Sequence, residues 1–221
     1  MLQKVLEEFQ EAVYDTDQNR VLEIVHKAID NGVAAEDVVF EIVIPILEKA
    51  IQSISEDDST CLSQMFFTAQ IAAAVTEEMI PLFKQAPKVV GCVVIGTSSG
   101  DFHGLGKRIV IGCLKAMMID VIDLGLSVPP ERFVDEAVAN KAQLIGISSM
   151  MVHTARGENG CLKVRQILKE RGLEEQIKII VGGAPYRYDH ELYKVVQADA
   201  WTENAITSSQ IIKDLIKEVQ K

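Results

Sequence analysis

The sequence lacks any long run of apolar residues, and its opening segment, MLQKVLEEFQEAV, is charged throughout. A membrane-spanning helix needs about 18 or more apolar residues in succession, and a signal peptide needs an apolar segment that charges do not interrupt. We therefore expect neither feature, and we expect a cytoplasmic protein without a membrane partner.

Basic residues are in the minority. The 22 Lys and Arg face 32 Asp and Glu, which gives a formal net charge of -10. The chain also has no basic run and no basic stripe interleaved with aromatic residues. Because a net negative charge repels phosphate backbones, these features argue against nucleic acid as a partner.

Cysteine is scarce as well. The four residues are scattered singly, at Cys61, Cys92, Cys113 and Cys161. Disulfide frameworks and cysteine metal clusters show more regular spacings. We interpret all four as reduced structural thiols.

Residues 1–86 show helical periodicity and nothing typical of a strand. Asn31-Gly32 ends the second helix, the third runs over residues 35–54 with an interruption at Pro45, and a fourth starts near Ser59-Thr60 after a polar turn. Amphipathic helices of this kind pack as a helical bundle, which is the first predicted domain.

The pattern changes after residues 85–88, where short apolar runs begin to alternate with helical stretches. Five runs are predicted strands, at residues 89–95, 120–124, 144–148, 177–181 and 199–202. Helices are predicted to begin near Leu105, Pro130, Glu158, Arg187 and Ala205. Strict alternation implies a parallel sheet covered by helices on both faces. We therefore predict that residues 87–221 form a flavodoxin-like (Rossmann-like) α/β domain with strand order 2-1-3-4-5, whose ligand binds at the ends of strands 1 and 3.

The loop after strand 1 carries the most informative residues, Asp101-Phe-His103-Gly-Leu-Gly106. Asp101 and His103 flank a single residue, so in an extended loop the carboxylate can reach one ring nitrogen and leave the other for a metal. Gly104 and Gly106 remove side chains beside the imidazole, which lets a large flat ligand lie against the backbone. The motif alone also fits an ordinary loop histidine, and its place at the end of strand 1 is what favours a site.

Small residues follow later strands at the same edge of the predicted sheet. Strand 3 ends in Ser148-Ser149 and strand 4 in Gly182-Gly183-Ala184. Small side chains here would open a slot beside the sheet, suited to a long thin ligand arm that the serine hydroxyls could bind.

Together these residues resemble the cobalamin-binding domain of the methionine synthase and corrinoid-protein family. The family signature is Asp-x-His-x-x-Gly, then Ser-x-Leu, then Gly-Gly. The matching residues are Asp101-x-His103-x-x-Gly106, Ser148-x-Met150 and Gly182-Gly183. The resemblance extends over the whole chain, because the corrinoid proteins of methylamine, methanol and aryl methyl ether demethylation also carry an N-terminal helical bundle.

The resemblance implies a base-off, His-on cobalamin. His103 would replace the cofactor's own dimethylbenzimidazole as lower ligand of cobalt, Asp101 would bind the far side of the ring, and Thr154 stands where the family often has a hydroxyl that completes this relay. The cobalt would cycle between Co(I) and methylcobalamin. The other cofactor-binding residues implied by the match are Gly104, Leu105, Gly106, Ser148, Met150, Gly182, Gly183 and Ala184.

The resemblance also implies a methyl carrier rather than a complete enzyme. Its partners would be a donor-specific methyltransferase, an acceptor methyltransferase that uses tetrahydrofolate or a thiol, and a reductive activase; a homodimer is a further expectation. The bundle would cap the upper face of the corrin, with residues 85–88 as a hinge. Its candidate contacts are Met65, Phe66, Phe67 and Met79.

Some positions depart from the family pattern. Met150 replaces the usual Leu, Gly104 a common acidic residue, and Arg108 a common Asn, while Leu62-Ser63 stands for a frequent Leu-Pro. His153, beside the slot, is interpreted as a neighbour of the site. The departures leave the methyl donor and the partner open. A cobalamin-based sensor and the small subunit of an adenosylcobalamin mutase stay open as alternatives.

Overall fold

The computed structural model describes residues 2–56, 62–84, 90–203 and 205–220. It divides into two compact units, one formed by Met1–Lys88 with Gly112–Met118 and the other by Val89–Ile111 with Ile119–Lys221. A boundary between separately folding domains at residues 86 and 87 stays a prediction. The predicted hinge at residues 85–88 lies outside the described residues.

The first unit contains the predicted amphipathic helices. They are α1 (Leu2–Tyr14), α2 (Gln18–Asp30), α3 (Ala35–Val38), α4 (Ile44–Glu56) and α5 (Leu62–Met79). In α1, Val5, Phe9 and Val13 recur at helical spacing and are buried. The start predicted for the fourth helix, near Ser59-Thr60, lies outside the described residues.

The interruption predicted at Pro45 takes the form of a π turn. Residues Val39–Val43 join α3 to α4, and the N–H of Ile44 donates to the carbonyl of Val39, five residues earlier. Proline has no N–H to offer the carbonyl of Glu41, and its ring crowds that carbonyl. The wider turn just before Pro45 accommodates both effects.

Two of the four candidate cap residues belong to the apolar core. Met65 and Met79 are buried, whereas Phe67 is 45% exposed. The rings of Phe66 and Phe67 meet edge to face, with centroids 5.5 Å apart. Core packing therefore accounts for the two methionines, and a capping role for the two phenylalanines stays a prediction.

The second unit contains a five-stranded parallel sheet. Its strands are β1 (Cys92–Thr97), β2 (Asp120–Asp123), β3 (Leu144–Ser148), β4 (Lys178–Gly182) and β5 (Ala200–Thr202). The order is β2-β1-β3-β4-β5, and all neighbouring strands are parallel. The predicted flavodoxin-like order is confirmed, and β1 and β3 are adjacent at the point where the order reverses.

The helices that follow the strands are mostly those predicted. They are α6 (Leu105–Ala116), α7 (Pro130–Ala139), α8 (Val152–Ala155), α9 (Cys161–Glu170), α10 (Ala184–Tyr188), α11 (Leu192–Val195) and α12 (Ala205–Val219). The helix predicted from Glu158 begins at Cys161, and α8 was not predicted. The start predicted near Arg187 is wrong: α10 begins directly after β4, where Pro185 suits the first turn because that position needs no N–H.

One buried apolar cluster of the second unit lies on one face of the sheet. Ile147 of β3 and Val181 of β4 pack in one buried cluster with Phe133 of α7 and residues of α9. Side chains alternate along a strand, so the next residues, Ser148 and Gly182, belong to the opposite face. That face therefore has small residues where the strands end.

Three cysteines are buried and free: Cys92, Cys113 and Cys161. Burial raises the pKa of the Cys113 and Cys161 thiols to about 12, so both are protonated at neutral pH and unreactive. Cys61 lies outside the described residues. Within the described part of the chain, no helix has the length and apolar character needed to cross a membrane.

Candidate functional site

The site is organised around Asp101, in the loop between β1 and α6. Its carboxylate is fully buried. Oδ1 accepts hydrogen bonds from the backbone N–H of His103 at 2.9 Å and from Nδ1 of the same residue at 3.0 Å. Oδ2 accepts from the backbone N–H of Met150 at 2.7 Å and from the hydroxyl of Thr154 at 2.8 Å. The carboxylate therefore joins the loop after β1 to the segment after β3.

These contacts determine the charge of Asp101. Burial by itself would raise the pKa of the carboxyl. The hydrogen bonds outweigh burial and lower the pKa to about 2; their donors are the backbone N–H groups of His103 and Met150, the Thr154 hydroxyl and the His103 ring. The carboxylate is therefore charged at neutral pH. Because a carboxylate oxygen can only accept a hydrogen bond, the Nδ1 atom that contacts it carries a proton. In the neutral form of the ring, the lone pair is therefore on Nε2.

The His103 ring is anchored at one nitrogen and accessible at the other. Its side chain is 56% exposed, in contrast to the buried carboxylate that holds it. The part of the chain that the structure describes provides no hydrogen bond to Nε2. A neutral imidazole held by a carboxylate at one nitrogen is the usual form of a histidine metal ligand.

A second loop supports Asp101 through its backbone. Ser127, between β2 and α7, donates its N–H to the carbonyl of Asp101 at 3.0 Å and to Oγ1 of Thr97 at 2.8 Å. Its hydroxyl accepts from the N–H of Gly100 at 3.0 Å. Ser127 has φ +50°, a left-handed conformation that costs on the order of 1 kcal/mol in a residue other than glycine. Ser127 was not among the predicted site residues, because a positive φ at serine has no sequence signal.

The position directly after β4 can accommodate only glycine, which is Gly183. Its φ is +115°, and a Cβ there would lie 2.0 Å from the carbonyl oxygen of Ser149. The N–H of Ser149 also donates to the carbonyl of Gly182 at 3.0 Å. The backbones that follow β3 and β4 are thus in direct contact, which a side chain at residue 183 would prevent.

The two glycines after His103 have different surroundings. A Cβ at Gly104 would lie 2.8 Å from the side chain of Leu126, so Gly104 allows two loops to approach closely. A Cβ at Gly106 would meet nothing within 4 Å. Open space beside Gly106 agrees with the prediction that a ligand lies against this backbone.

Exposed apolar side chains surround the His103 loop. They belong to the loops after β1, β2 and β3 and to the first residues of α6 and α8. They are Phe102, Leu105, Leu126, Met150, Met151 and Val152, between 42% and 70% exposed. Clustered apolar surface of this kind marks a binding site for a ligand that is itself largely apolar.

The residues described here do not form a conventional metal site. Nowhere among them do three His, Cys, Asp or Glu side chains come together in a way that could hold an ion. A single imidazole of this kind suits a metal whose other ligands come with it, as in a macrocycle such as haem or corrin. The single imidazole, the apolar surround and the bare backbone at Gly106 all fit a corrinoid.

Comparison with known proteins identifies the family. The B12 binding domain matches residues 91–208. This chain belongs to the B12-binding domain family. The predicted cofactor, a cobalamin, is thereby confirmed.

Individual relatives match over nearly the whole chain. Dimethylamine corrinoid protein 1 of Methanosarcina mazei is 30% identical over 226 residues, which cover 97% of each protein. Trimethylamine corrinoid protein 1 of Methanosarcina acetivorans is 29% identical and covers 92% of this chain and 93% of its own length. Among solved structures, the methanol:cobalamin methyltransferase complex of Methanosarcina barkeri matches with a TM-score of 0.75 at 23% identity, over 97% of this chain and 80% of that one. At that identity the structural match supports the fold.

The predicted site residues fall into two groups in the structure. The first group surrounds the Asp101 carboxylate and consists of His103, Met150 and Thr154. The second lies at the ends of β3 and β4 and consists of Ser148, Gly182, Gly183 and Ala184. Ser149, which the sequence suggested as a ligand-binding hydroxyl, is buried and has no hydrogen-bond partner of normal length within the described residues.

Proposed function

We propose that this chain is the corrinoid carrier of a methyltransferase system, holding a cobalamin by its lower face and carrying a methyl group between two methyltransferases. The observation that supports this proposal most strongly is the contact between the buried carboxylate of Asp101 and the half-exposed ring of His103 at the end of β1. Family membership and full-length relatives named corrinoid proteins agree with it.

The residues have separate roles in the proposal. His103 would hold the cobalt of the corrinoid through Nε2. Asp101 keeps the proton on Nδ1 and increases the electron donation of the ring, and Thr154 in turn orients the carboxylate by donating to Oδ2. The Thr154 hydroxyl also lies 2.8 Å from the carbonyl of Met151, and its one proton favours the charged acceptor.

The bound corrinoid supplies a cobalt atom that can accept and release a methyl group. The chain itself would fix the position of the cofactor and, through the contact of Asp101 with His103, the basicity of the nitrogen that holds it. Met150 links the two tasks, because its N–H holds Asp101 while its side chain is 50% exposed in the apolar surround. We expect the nucleotide tail of the cofactor to lie near Gly182 and Gly183, at the carboxyl end of β4.

The helical unit favours a carrier over a mutase subunit. The match to the dimethylamine corrinoid protein covers 97% of both chains, so it includes the helices before the sheet. We expect the partners to be a donor-specific methyltransferase, an acceptor methyltransferase using tetrahydrofolate or a thiol, and a reductive activase. The methanol:cobalamin methyltransferase complex, with its similar fold, supports a methyltransferase as partner. A homodimer and a cytoplasmic location stay predictions.

The experiment is to add cobinamide, which has no nucleotide tail and therefore no base of its own, to the full chain and to record the EPR spectrum in the Co(II) state. Coupling of the cobalt electron to one nitrogen then reports a ligand from the protein. We expect this coupling in the wild type and its loss in His103→Ala, with an unchanged circular dichroism spectrum.

His153→Ala is the matched control, since His153 is an exposed histidine on α8, next to Thr154. It should keep the nitrogen coupling. Loss of the coupling in His153→Ala, with its retention in His103→Ala, would transfer the ligand role to His153. A wild type without bound corrinoid would disprove the proposed function.

A further inference from the structure

Lys107 is a buried cation that the proposed function does not use. Its side chain is only 2% exposed, although Leu105, Gly106 and Arg108 beside it are exposed. It lies in the first turn of α6, where the helix dipole favours negative charge over positive charge. Removing an ammonium group from water adds a further cost. An apolar side chain would fill the same space without either cost, so packing alone does not account for a lysine here.

The partner of Lys107 is Asp123, the last residue of β2. Nζ of Lys107 donates to Oδ1 of Asp123, and the same oxygen accepts the backbone N–H of Gly125 at 2.8 Å. The side chain of Asp123 is 42% exposed, so water can solvate the carboxylate without the lysine, whereas the buried ammonium has little access to water. The ion pair therefore joins the start of α6 to the end of β2.

This ion pair completes a set of contacts that hold the His103 loop on both sides of His103. Before His103, Ser127 binds the backbone of Gly100 and Asp101. After His103, the contact of Asp123 with Lys107 holds the first turn of α6. Both contacts come from the segment at the carboxyl end of β2. The position of the His103 loop is therefore tied to that segment at two points.

The backbone between His103 and Lys107 has little else to fix it. It contains Gly104 and Gly106, and glycine has the greatest backbone freedom of all residues. A Cβ at Gly106 would meet nothing within 4 Å, so packing does not restrain this position. The ion pair of Lys107 anchors the far end of the segment.

We propose that Lys107 is a positioning residue for His103, acting through its ion pair with Asp123. The inference rests on the proposed function, because it takes His103 as the ligand of cobalt. With the pair intact, the His103 loop and the start of α6 are held in one arrangement, which favours the His-on form of a bound corrinoid. With the pair broken, the two glycines let the backbone after His103 move, and the His-off form gains.

The test compares Asp123→Asn with Asp123→Glu, because these variants separate the ion pair from the turn at Gly125. Asparagine keeps an oxygen for the N–H of Gly125 and removes the charge, whereas glutamate keeps the charge and is too long for the turn. The equilibrium between His-on and His-off cobalamin is measured by absorbance in the full chain at neutral pH. It should shift about tenfold toward His-off in Asp123→Asn and stay close to the wild-type value in Asp123→Glu. The reverse order would assign the effect to the turn and overturn the role of Lys107.

Lys107→Met tests the pair from its other side and keeps the proposal testable if Asp123→Asn does not fold. Methionine is unbranched like lysine and removes the charge. We expect a similar shift of about tenfold toward His-off, and no larger shift when Lys107→Met and Asp123→Asn are combined, because either change breaks the same contact. Lys115→Met is the matched control, since Lys115 lies on the same helix in an exposed ion pair with Glu77 at 2.6 Å. It should leave the equilibrium unchanged.

Unfolding in urea distinguishes a positioning role from a purely structural one. If Lys107→Met lowers the stability but keeps the wild-type equilibrium between His-on and His-off, the pair only supports the fold and the proposal is wrong. An equal shift in Lys115→Met would also overturn it, because any change on α6 would then have the same effect. A wild type that binds no cobalamin, or binds it without a His-on form, would instead disprove the proposed function.

Discussion

One carboxylate oxygen, Oδ1 of Asp101, contacts His103 twice, accepting its backbone N–H at 2.9 Å and its ring Nδ1 at 3.0 Å. The same atom therefore fixes both the backbone and the ring orientation of the proposed ligand. Because the two donors belong to one residue, the ring is positioned before any cofactor arrives. Such preorganisation reduces the entropic cost of binding.

The charge of this oxygen can be tested by Asp101→Asn. The amide oxygen still accepts from Nδ1, but the negative charge that strengthens the imidazole as a ligand is gone. We expect the equilibrium between His-on and His-off corrinoid at neutral pH to shift about 10- to 100-fold toward His-off, as measured by absorbance. Asp135→Asn removes an exposed carboxylate paired with Arg171 and should leave the equilibrium unchanged. If the equilibrium between His-on and His-off corrinoid is the same in Asp101→Asn as in the wild type, the carboxylate does not strengthen the imidazole as a ligand.

The hydroxyl of Thr154 should contribute measurable stability. Thr154→Val removes one of the four donors to a buried charge, and we expect the free energy of unfolding in urea to fall by about 2 kcal/mol. Thr76→Val is the control, because Thr76 is a buried threonine whose hydroxyl lacks a hydrogen-bond partner within the described structure. It should cost almost nothing. Equal costs for the two variants would mean that the Thr154 hydroxyl does not stabilise Asp101.

Gly183→Ala separates steric contact from backbone strain. A methyl group at residue 183 would lie 2.0 Å from the carbonyl oxygen of Ser149, whereas Gly172, with φ +66°, has nothing within 4 Å. We expect Gly172→Ala to cost about 1 kcal/mol for its left-handed conformation and Gly183→Ala to cost more than about 3 kcal/mol. Similar costs in thermal unfolding would show that the backbones after β3 and β4 can move apart.

The pKa of Asp101 predicts a particular response to acid. Its folded-state pKa is lowered from 3.8 to about 2, so the carboxylate stabilises the fold fully above about pH 4 and loses this contribution as the pH falls through about 2. The shift corresponds to about 2 kcal/mol. The difference in unfolding free energy between the wild type and Asp101→Asn should therefore decrease between pH 5 and pH 2. A constant difference would mean that the carboxyl titrates normally.

The sequence predicted the elements whose pattern is local. The alternation of apolar runs with helices was sufficient for the strand order, and β3 has the predicted bounds. The spacing of Asp101 and His103 predicted their contact, because only one residue separates them. Ser127 could not be found in this way. Its role depends on a positive φ, which does not appear in the order of residues.

The contacts of Asp101 also bear on how the protein folds. Its partners Met150 and Thr154 are 49 and 53 residues away in the chain. A site closed by such distant partners cannot exist before β1 and β3 have paired, and pairings of this range form slowly. During refolding from urea, helical circular dichroism should therefore return before the ability to bind corrinoid. The cofactor would then join a nearly finished protein and not guide its folding.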